Sequence, residues 1–324
     1  MSNGVAALVP AVLLAVSLVM GCRAEPEPPM RIGTTFWPSN ELLFLAQENG
    51  WLNPSEFRLV EFVDDGEVMR AIRNNAVAAA WLSMDEVLAV AQSGVVDPVI
   101  LFVSDESHGG DAVVAHPDLT TPADLKDRRV AVQIDSVSAY LLDRALRQAG
   151  LSVADVRLVN LPPYRHLAAF RRREVDAVVT NEPVRSQIIE AGGVELFSTV
   201  STPFDILRAL VMRRDYLESH PQQADTLCAA WQRAIVEMRS SEKARSWIAG
   251  RVGTSVEGLD RMLERVRVLS LAESREWLGV PKPKLLATLA RLQTELLNAG
   301  LLPTATPLEP MFRWPSALES VCRG

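Results

Sequence analysis

Short polar loops follow several apolar runs of this chain, and each stands just before a stretch of helical periodicity. They lie at residues 36–40, 82–85, 135–138 and 180–182. Free N–H groups and the positive dipole end of a helix N-terminus hold an oxyanion or a carbonyl oxygen. The candidate ligand-binding residues are Phe36, Trp37, Ser39, Asn40, Ser83, Met84, Ser136, Val137, Ser138, Asn181 and Glu182. Plain N-capping, which contributes about 1 kcal/mol, is the alternative for the serines and Asn40.

Aromatic side chains accompany two polar segments. Phe36 and Trp37 stand together after an apolar run, and Tyr164 follows the segment 161–163. Such rings stack on a planar ligand or cover an aliphatic one. The alternative for Phe36 and Trp37 is a place in the hydrophobic core. The residue type alone does not distinguish that role from contact with a ligand.

A flexible and acidic segment occurs at residues 108–111. Gly109 and Gly110 permit close approach of the backbone, and Asp111 suits a cationic or N–H-rich group. Glu182 is a second candidate for that role, while a hinge salt bridge is the alternative for both carboxylates. Unpaired acids would disfavour nitrate or a simple sulfonate, which favours an amine, amide or heteroaromatic ligand.

The sequence gives little support to metal binding, catalysis or nucleic-acid binding. The four histidines show no metal-ligand spacing, so we expect no metal and no cofactor. No nucleophile, base and orienting residue stand in a recognisable order, so we expect no enzyme. The net charge of −7 disfavours nucleic acid as a partner.

Alternating strand-like and helix-like runs predict an α/β fold with helices covering mostly parallel sheets. The predicted strands are at 31–35, 57–62, 77–82, 99–103, 111–115, 129–133, 156–160, 177–180 and 194–198. From residue 221 the pattern is helical almost throughout, and no strand series resumes. Residues 301–324 form a Pro-rich C-terminal tail.

The N-terminus has the features of an export signal, with an uncharged apolar run that ends at Gly21. Residues 19–22 resemble the lipobox of bacterial lipoproteins, which implies a signal peptide at 1–21, a lipidated Cys22 and a tether at 22–30. An unmodified thiol is the alternative for Cys22. The remaining cysteines, Cys228 and Cys322, either form a disulfide in an oxidising compartment or stay as separate thiols.

Several segments resemble periplasmic binding proteins for nitrate, sulfonates, taurine and thiamine-pyrimidine precursors. They are residues 31–38, 43–46, 50–52, 124–126, 129–132, 141–150 and 174–177. The resemblance implies a two-lobed type II periplasmic-binding-protein fold. It places the first lobe at 31–110 and 206–300, the second at 111–205, and hinges near Asp111 and residues 204–208.

The same resemblance implies an extracytoplasmic, monomeric solute-binding protein of an ABC import system. A small polar ligand binds between the lobes, the lobes close, and a membrane permease recognises the closed form. A ligand-sensing receptor subunit for a membrane signalling protein is the alternative, and an enzyme on the same fold is another.

Overall fold

The computed structural model describes residues 27–134, 136–202, 206–279, 284–312 and 322. The predicted signal and Cys22 lie outside these residues, as do residues 204 and 205 of the second predicted hinge. Within the described part of the chain, no helix is long and apolar enough to cross a membrane.

Strands and helices alternate along most of the chain. The strands are β1 (Met30–Thr34), β2 (Phe57–Glu61), β3 (Ala79–Ser83), β4 (Pro98–Ser107), β5 (Asp111–Ala115), β6 (Arg129–Val132), β7 (Arg157–Asn160), β8 (Ala177–Asn181), β9 (Val194–Ser198), β10 (Leu207–Arg213) and β11 (Val266–Val268). The α-helices are α1 (Glu41–Glu48), α2 (Asp65–Arg73), α3 (Met84–Gln92), α4 (Val137–Gln148), α5 (Pro163–Arg171), α6 (Val184–Glu190), α7 (Arg214–Ser219), α8 (Pro221–Ser240), α9 (Glu242–Arg251), α10 (Val256–Arg265), α11 (Leu271–Leu278) and α12 (Lys284–Asn298). Short 3₁₀ turns occur at Pro122–Leu125, Val153–Asp155, Thr199–Ser201 and Glu309–Phe312.

These strands form two sheets. The first has the order β11-β4-β10-β3-β1-β2, and the second has the order β7-β6-β8-β5-β9. We call the part built on the first sheet the first lobe and the part built on the second sheet the second lobe. The first lobe therefore takes strands from both sides of the segment that forms the second lobe.

Both sheets are mixed, whereas the alternation of elements predicts mostly parallel sheets. The pairs of β1 with β2 and β3, and of β6 with β7 and β8, are parallel. The pairs of β10 with β3 and β4, of β11 with β4, and of β5 with β8 and β9 are antiparallel. The strands next to the passages between the lobes, β4, β5 and β10, account for these antiparallel pairs.

Two strands are absent from the sequence prediction. β10 begins within the predicted hinge at residues 204–208 and continues beyond it, and β11 interrupts the region predicted to be helical almost throughout. β11 is only three residues long and lies at the edge of the first sheet against β4. A strand this short does not show the alternation of apolar and polar residues by which strands are predicted from a sequence.

The C-terminal helix α12 connects the two lobes. Its buried residues, Leu285, Leu289, Leu292 and Leu296, recur at spacings of four and three and so form one apolar face. They belong to a hydrophobic cluster that also contains residues of α3 and α4. Across this junction the Tyr140 hydroxyl donates a hydrogen bond of 2.5 Å to Glu295.

The end of the chain is joined covalently to the first lobe. Cys322 forms a disulfide with Cys228 of α8, with 5.4 Å between the Cα atoms. Cys228 is fully buried in the cluster formed by α1, α8 and the first sheet.

Candidate functional site

The loop after β1 brings an aromatic ring and a hydroxyl to one buried carboxylate. The Trp37 indole N–H donates to Asp105 Oδ1 at 3.1 Å, and the Ser39 hydroxyl donates to Asp105 Oδ2 at 2.6 Å. Asp105 lies near the end of β4, and burial raises its pKa, although Arg208 and these hydrogen bonds oppose the shift. The side-chain amide of Asn40 donates to the Thr35 carbonyl and so fixes the loop backbone.

Arg208 of β10 lies at the centre of the arrangement. Its guanidinium carbon is 4.1 Å from the centre of the Trp37 ring, a cation–π contact. Its Nη2 atom is 4.0 Å from Asp111 Oδ1, and both side chains are buried. Burial alone would lower the pKa of Arg208, but the carboxylates of Asp111, Asp65, Glu86 and Asp105 raise it. This guanidinium is therefore charged.

Arg208 and Asp111 retain unused hydrogen-bonding capacity. Among the described residues, neither carboxylate oxygen of Asp111 has a hydrogen-bond partner, and the same holds for Nε and Nη2 of Arg208. Burial raises the pKa of Asp111 to about 6, although Arg208 and the nearby Ser107 hydroxyl oppose the shift. Buried polar groups without partners are costly, and they occur at sites where a ligand supplies the missing hydrogen bonds.

A cavity of about 80 Å³ opens beside Arg208, between the two lobes, and Asp111 lies behind Arg208 without lining the cavity. We call it the first cavity. Its lining includes Phe36, Trp37, Asp65 and Arg208 from the first lobe and Gln133, Tyr164, Asn181 and Glu182 from the second. Charged groups, rings and amides from both lobes thus line the cavity, as in small-molecule sites.

The candidate residues at the starts of α3 and α4 form hydrogen bonds with residues close to them in the chain. Ser83 begins α3 in a capping box, with its N–H bonded to Glu86 Oε2 at 2.8 Å, and Met84 is buried behind it. Ser136 accepts the N–H of Ser138 at the start of α4, where Val137 is also buried. These contacts match the capping alternative.

The residues at the passage between β4 and β5 are packed rather than open. Gly109 has a φ of 94°, and its N–H donates to the Thr199 hydroxyl at 2.6 Å. A Cβ at Gly110 would lie 2.9 Å from Val266 Cγ2, and the Gly110 carbonyl accepts the N–H of Glu182. Glu182 lines the first cavity, but its carboxylate already binds Arg185 and Ser186.

Sequence reasoning misses the residue at the centre of the site. Arg208 is a lone charge in the otherwise apolar run 206–212, and a charge inside a buried strand is the signal that identifies it. Asp105 and Glu86 are missed for a similar reason, since each stands at the end of an apolar run where a solvated position is expected.

Comparisons with known proteins agree with this architecture. The alkanesulfonate-binding protein SsuA from Xanthomonas axonopodis pv. citri, solved with MOPS bound, superposes with a TM-score of 0.75 over 89% of this chain and 99% of its own, at 20% identity. The desulfurization enzyme DSZB superposes with a TM-score of 0.62 over 87% of this chain and 96% of its own, at 16% identity. The fold is therefore that of the type II periplasmic binding proteins, as the sequence resemblance predicts.

Sequence matches specify the family. The model of the NMT1-like family matches residues 23–252, and the chain belongs to this family. The taurine-binding periplasmic protein of Escherichia coli is 28% identical over 166 residues, which are 50% of this chain. The chain thus spans about half the length of that relative, 51%.

Proposed function

We propose that the chain is the extracytoplasmic solute-binding component of an ABC import system and binds a small zwitterion between its lobes. The observation that carries the proposal is a buried pair of opposite charges: Arg208 lines the first cavity, Asp111 lies 4.0 Å from it, and both keep hydrogen-bonding positions without partners among the described residues. A cationic nitrogen satisfies Asp111, and an oxyanion satisfies Arg208.

This pairing changes the expected ligand. The sequence favours an amine because unpaired acids repel oxyanions, but Arg208 provides the missing counter-charge. A ligand that carries only one charge leaves the other buried group without a partner, which costs about 1–3 kcal/mol. Taurine has an ammonium and a sulfonate, and the name of the Escherichia coli relative states that it binds taurine. These facts support an aminosulfonate or a similar zwitterion.

Calorimetric titration tests the proposal. The soluble chain starting at Arg23 is titrated with taurine, ethylamine and ethanesulfonate. We expect taurine to bind at least about tenfold more tightly than either compound, because only taurine satisfies both groups. Asp111→Asn and Arg208→Gln each remove one partner and should weaken taurine binding by a similar factor.

A matched control separates ligand contact from general damage. Arg129 and Asp176 form a more exposed arginine–aspartate pair at 2.8 Å in the second lobe, and neither residue lines the first cavity. Asp176→Asn should leave taurine affinity unchanged, and thermal unfolding shows whether each variant is folded. Equal affinity for all three compounds, or unchanged affinity in folded Asp111→Asn, would contradict the zwitterion site.

The proposal includes a lipid anchor at Cys22, supported by the lipobox-like segment 19–22. Several acyl chains hold a protein on a membrane durably, at about 0.8 kcal/mol for each buried methylene. The mass of the protein extracted from its native membrane checks this point. We expect a chain that begins at Cys22 and carries diacylglycerol, whereas a free thiol at Cys22 would refute the anchor.

A further inference from the structure

A second cavity, of about 260 Å³, lies between the lobes next to the first. Asp65 and Gln133 line the first cavity, while their near neighbours in the chain, Gly66 and Ile134, line the second. The two cavities therefore adjoin where the start of α2 faces the end of β6. The first alone is too small for a ligand much larger than a compact head group, since one water molecule occupies about 30 Å³ of liquid.

The walls of the second cavity are partly apolar and partly charged. Met69, Ala89, Leu296 and Leu302 contribute apolar surface from the first lobe and the end of α12. Glu86 and Asp85, at the start of α3, contribute carboxylates, and the side chains of Arg70 and Arg73, on α2, also line the cavity. A ligand segment in this cavity therefore meets apolar surface together with charged groups of both signs.

Glu86 has an unused acceptor there. The side chain is 2% exposed, and Oε2 accepts the Ser83 N–H, but Oε1 has no partner among the described residues. Burial, Asp65 and Asp85 raise the pKa of Glu86 well above its usual value. A buried carboxylate oxygen without a partner is stabilised by a hydrogen-bond donor. A cationic donor also lowers the pKa of the carboxyl group and so favours its ionised form.

No neighbouring cation hydrogen-bonds to this oxygen among the described residues, although the charge of Arg208 opposes the rise in the pKa of Glu86. Arg73 donates from Nη2 to the Ala89 carbonyl at 2.9 Å while its Nε has no partner among the described residues, and Arg70 is exposed. In the described part of the chain, no group of three His, Cys, Asp or Glu side chains is arranged to hold a metal ion. An organic ammonium would supply the donor that Glu86 Oε1 lacks.

We propose that the second cavity is an ammonium subsite, so that the ligand is an elongated zwitterion with an additional cationic nitrogen that contacts Glu86. This inference rests on the proposed function, because the zwitterionic head group occupies the first cavity. The volumes of about 260 and 80 Å³ agree with an elongated ligand, since ligand pockets usually measure about 300–1,000 Å³ and these two cavities reach that range together but not singly.

A matched pair of ligands tests the subsite. N-ethyltaurine and N-(2-aminoethyl)taurine share the same head group, and only the second carries a terminal ammonium. In calorimetric titrations of the wild type we expect N-(2-aminoethyl)taurine to bind about tenfold or more tightly, the effect of one hydrogen bond to a charged group. Glu86→Gln should abolish this preference, because the introduced amide keeps an oxygen for the Ser83 N–H but has no charge.

Glu273→Gln is the matched control. Glu273 holds the same position in the capping box of α11, where it accepts the Ser270 N–H at 2.8 Å, and it lines neither cavity. This variant should keep the preference for the terminal ammonium. Thermal unfolding of both variants checks that each is folded.

The outcomes separate the two proposals. Equal affinity of the wild type for the two compounds overturns the subsite and leaves the proposed function intact, as does a preference that persists in Glu86→Gln. If neither compound nor taurine binds, the proposed function fails and the subsite fails with it. A preference lost in Glu86→Gln and kept in Glu273→Gln supports the subsite.

Discussion

At the scale of residues, two buried opposite charges define the site. Arg208 and Asp111 are 4.0 Å apart, too far for a hydrogen bond between them, and their free positions remain available. A buried pair of this kind contributes little to stability because desolvation opposes the attraction. Its arrangement is better explained by a ligand that binds both groups, and this is the basis of the proposed zwitterion.

The raised pKa of Asp111 makes stability depend on pH. Its folded-state pKa of about 6 lies above its ordinary value of 3.8, so the folded ligand-free protein favours the protonated form. The stability that this preference contributes is fully present below pH 3.8 and is lost as the pH rises through 6. The charged groups that act on Asp111 are Arg208, which opposes the shift, and Asp105 and Asp65, which add to it.

Asp111→Asn isolates this contribution because the amide does not ionise. We expect the free energy of unfolding of the variant to rise relative to the wild type by up to about 3 kcal/mol between about pH 4 and pH 8, at about 1.4 kcal/mol for each pKa unit. Urea titrations of both proteins across this range give the difference. A difference that stays constant across the range would show that Asp111 is ionised throughout.

At the scale of elements, the sequence predicts the α/β alternation well and the centre of the site poorly. β5 (Asp111–Ala115) and β9 (Val194–Ser198) begin and end at the residues that their patterns predict. Their apolar runs are short and end at capping or turn residues, which fixes both bounds. Phe36, Trp37, Tyr164 and Asn181 also line the first cavity, so part of the site follows from strand ends alone.

β10 shows why the rest is not predictable in the same way. It pairs with β3 and β4, which lie about a hundred residues or more earlier in the chain, and no local pattern specifies those partners. The charged state of Arg208 depends on carboxylates from four other elements, β4, β5, α2 and α3. Arg208 provides the positive charge opposite the buried carboxylates of the cleft because contacts between distant segments bring them together. The residue type alone does not predict this arrangement.

At the scale of the whole molecule, the lobes contribute opposite walls to both cavities. Trp37 and Arg208 face Tyr164 and Asn181 across the first cavity, and α12 joins the lobes along the second. A ligand that contacts both walls binds the closed arrangement more tightly than an open one and shifts the population toward it. Closure is therefore the expected consequence of binding at Arg208 and Asp111.

Distance measurement between the lobes tests this account most directly. Spin labels are placed on Arg58→Cys in the first lobe and Arg171→Cys in the second, both exposed positions, in the chain starting at Arg23 with its disulfide intact. We predict that saturating taurine narrows the distance distribution and shifts it to shorter values, and that Asp111→Asn abolishes the shift. An unchanged distribution in a protein that calorimetry shows to be saturated with taurine would contradict binding between the lobes.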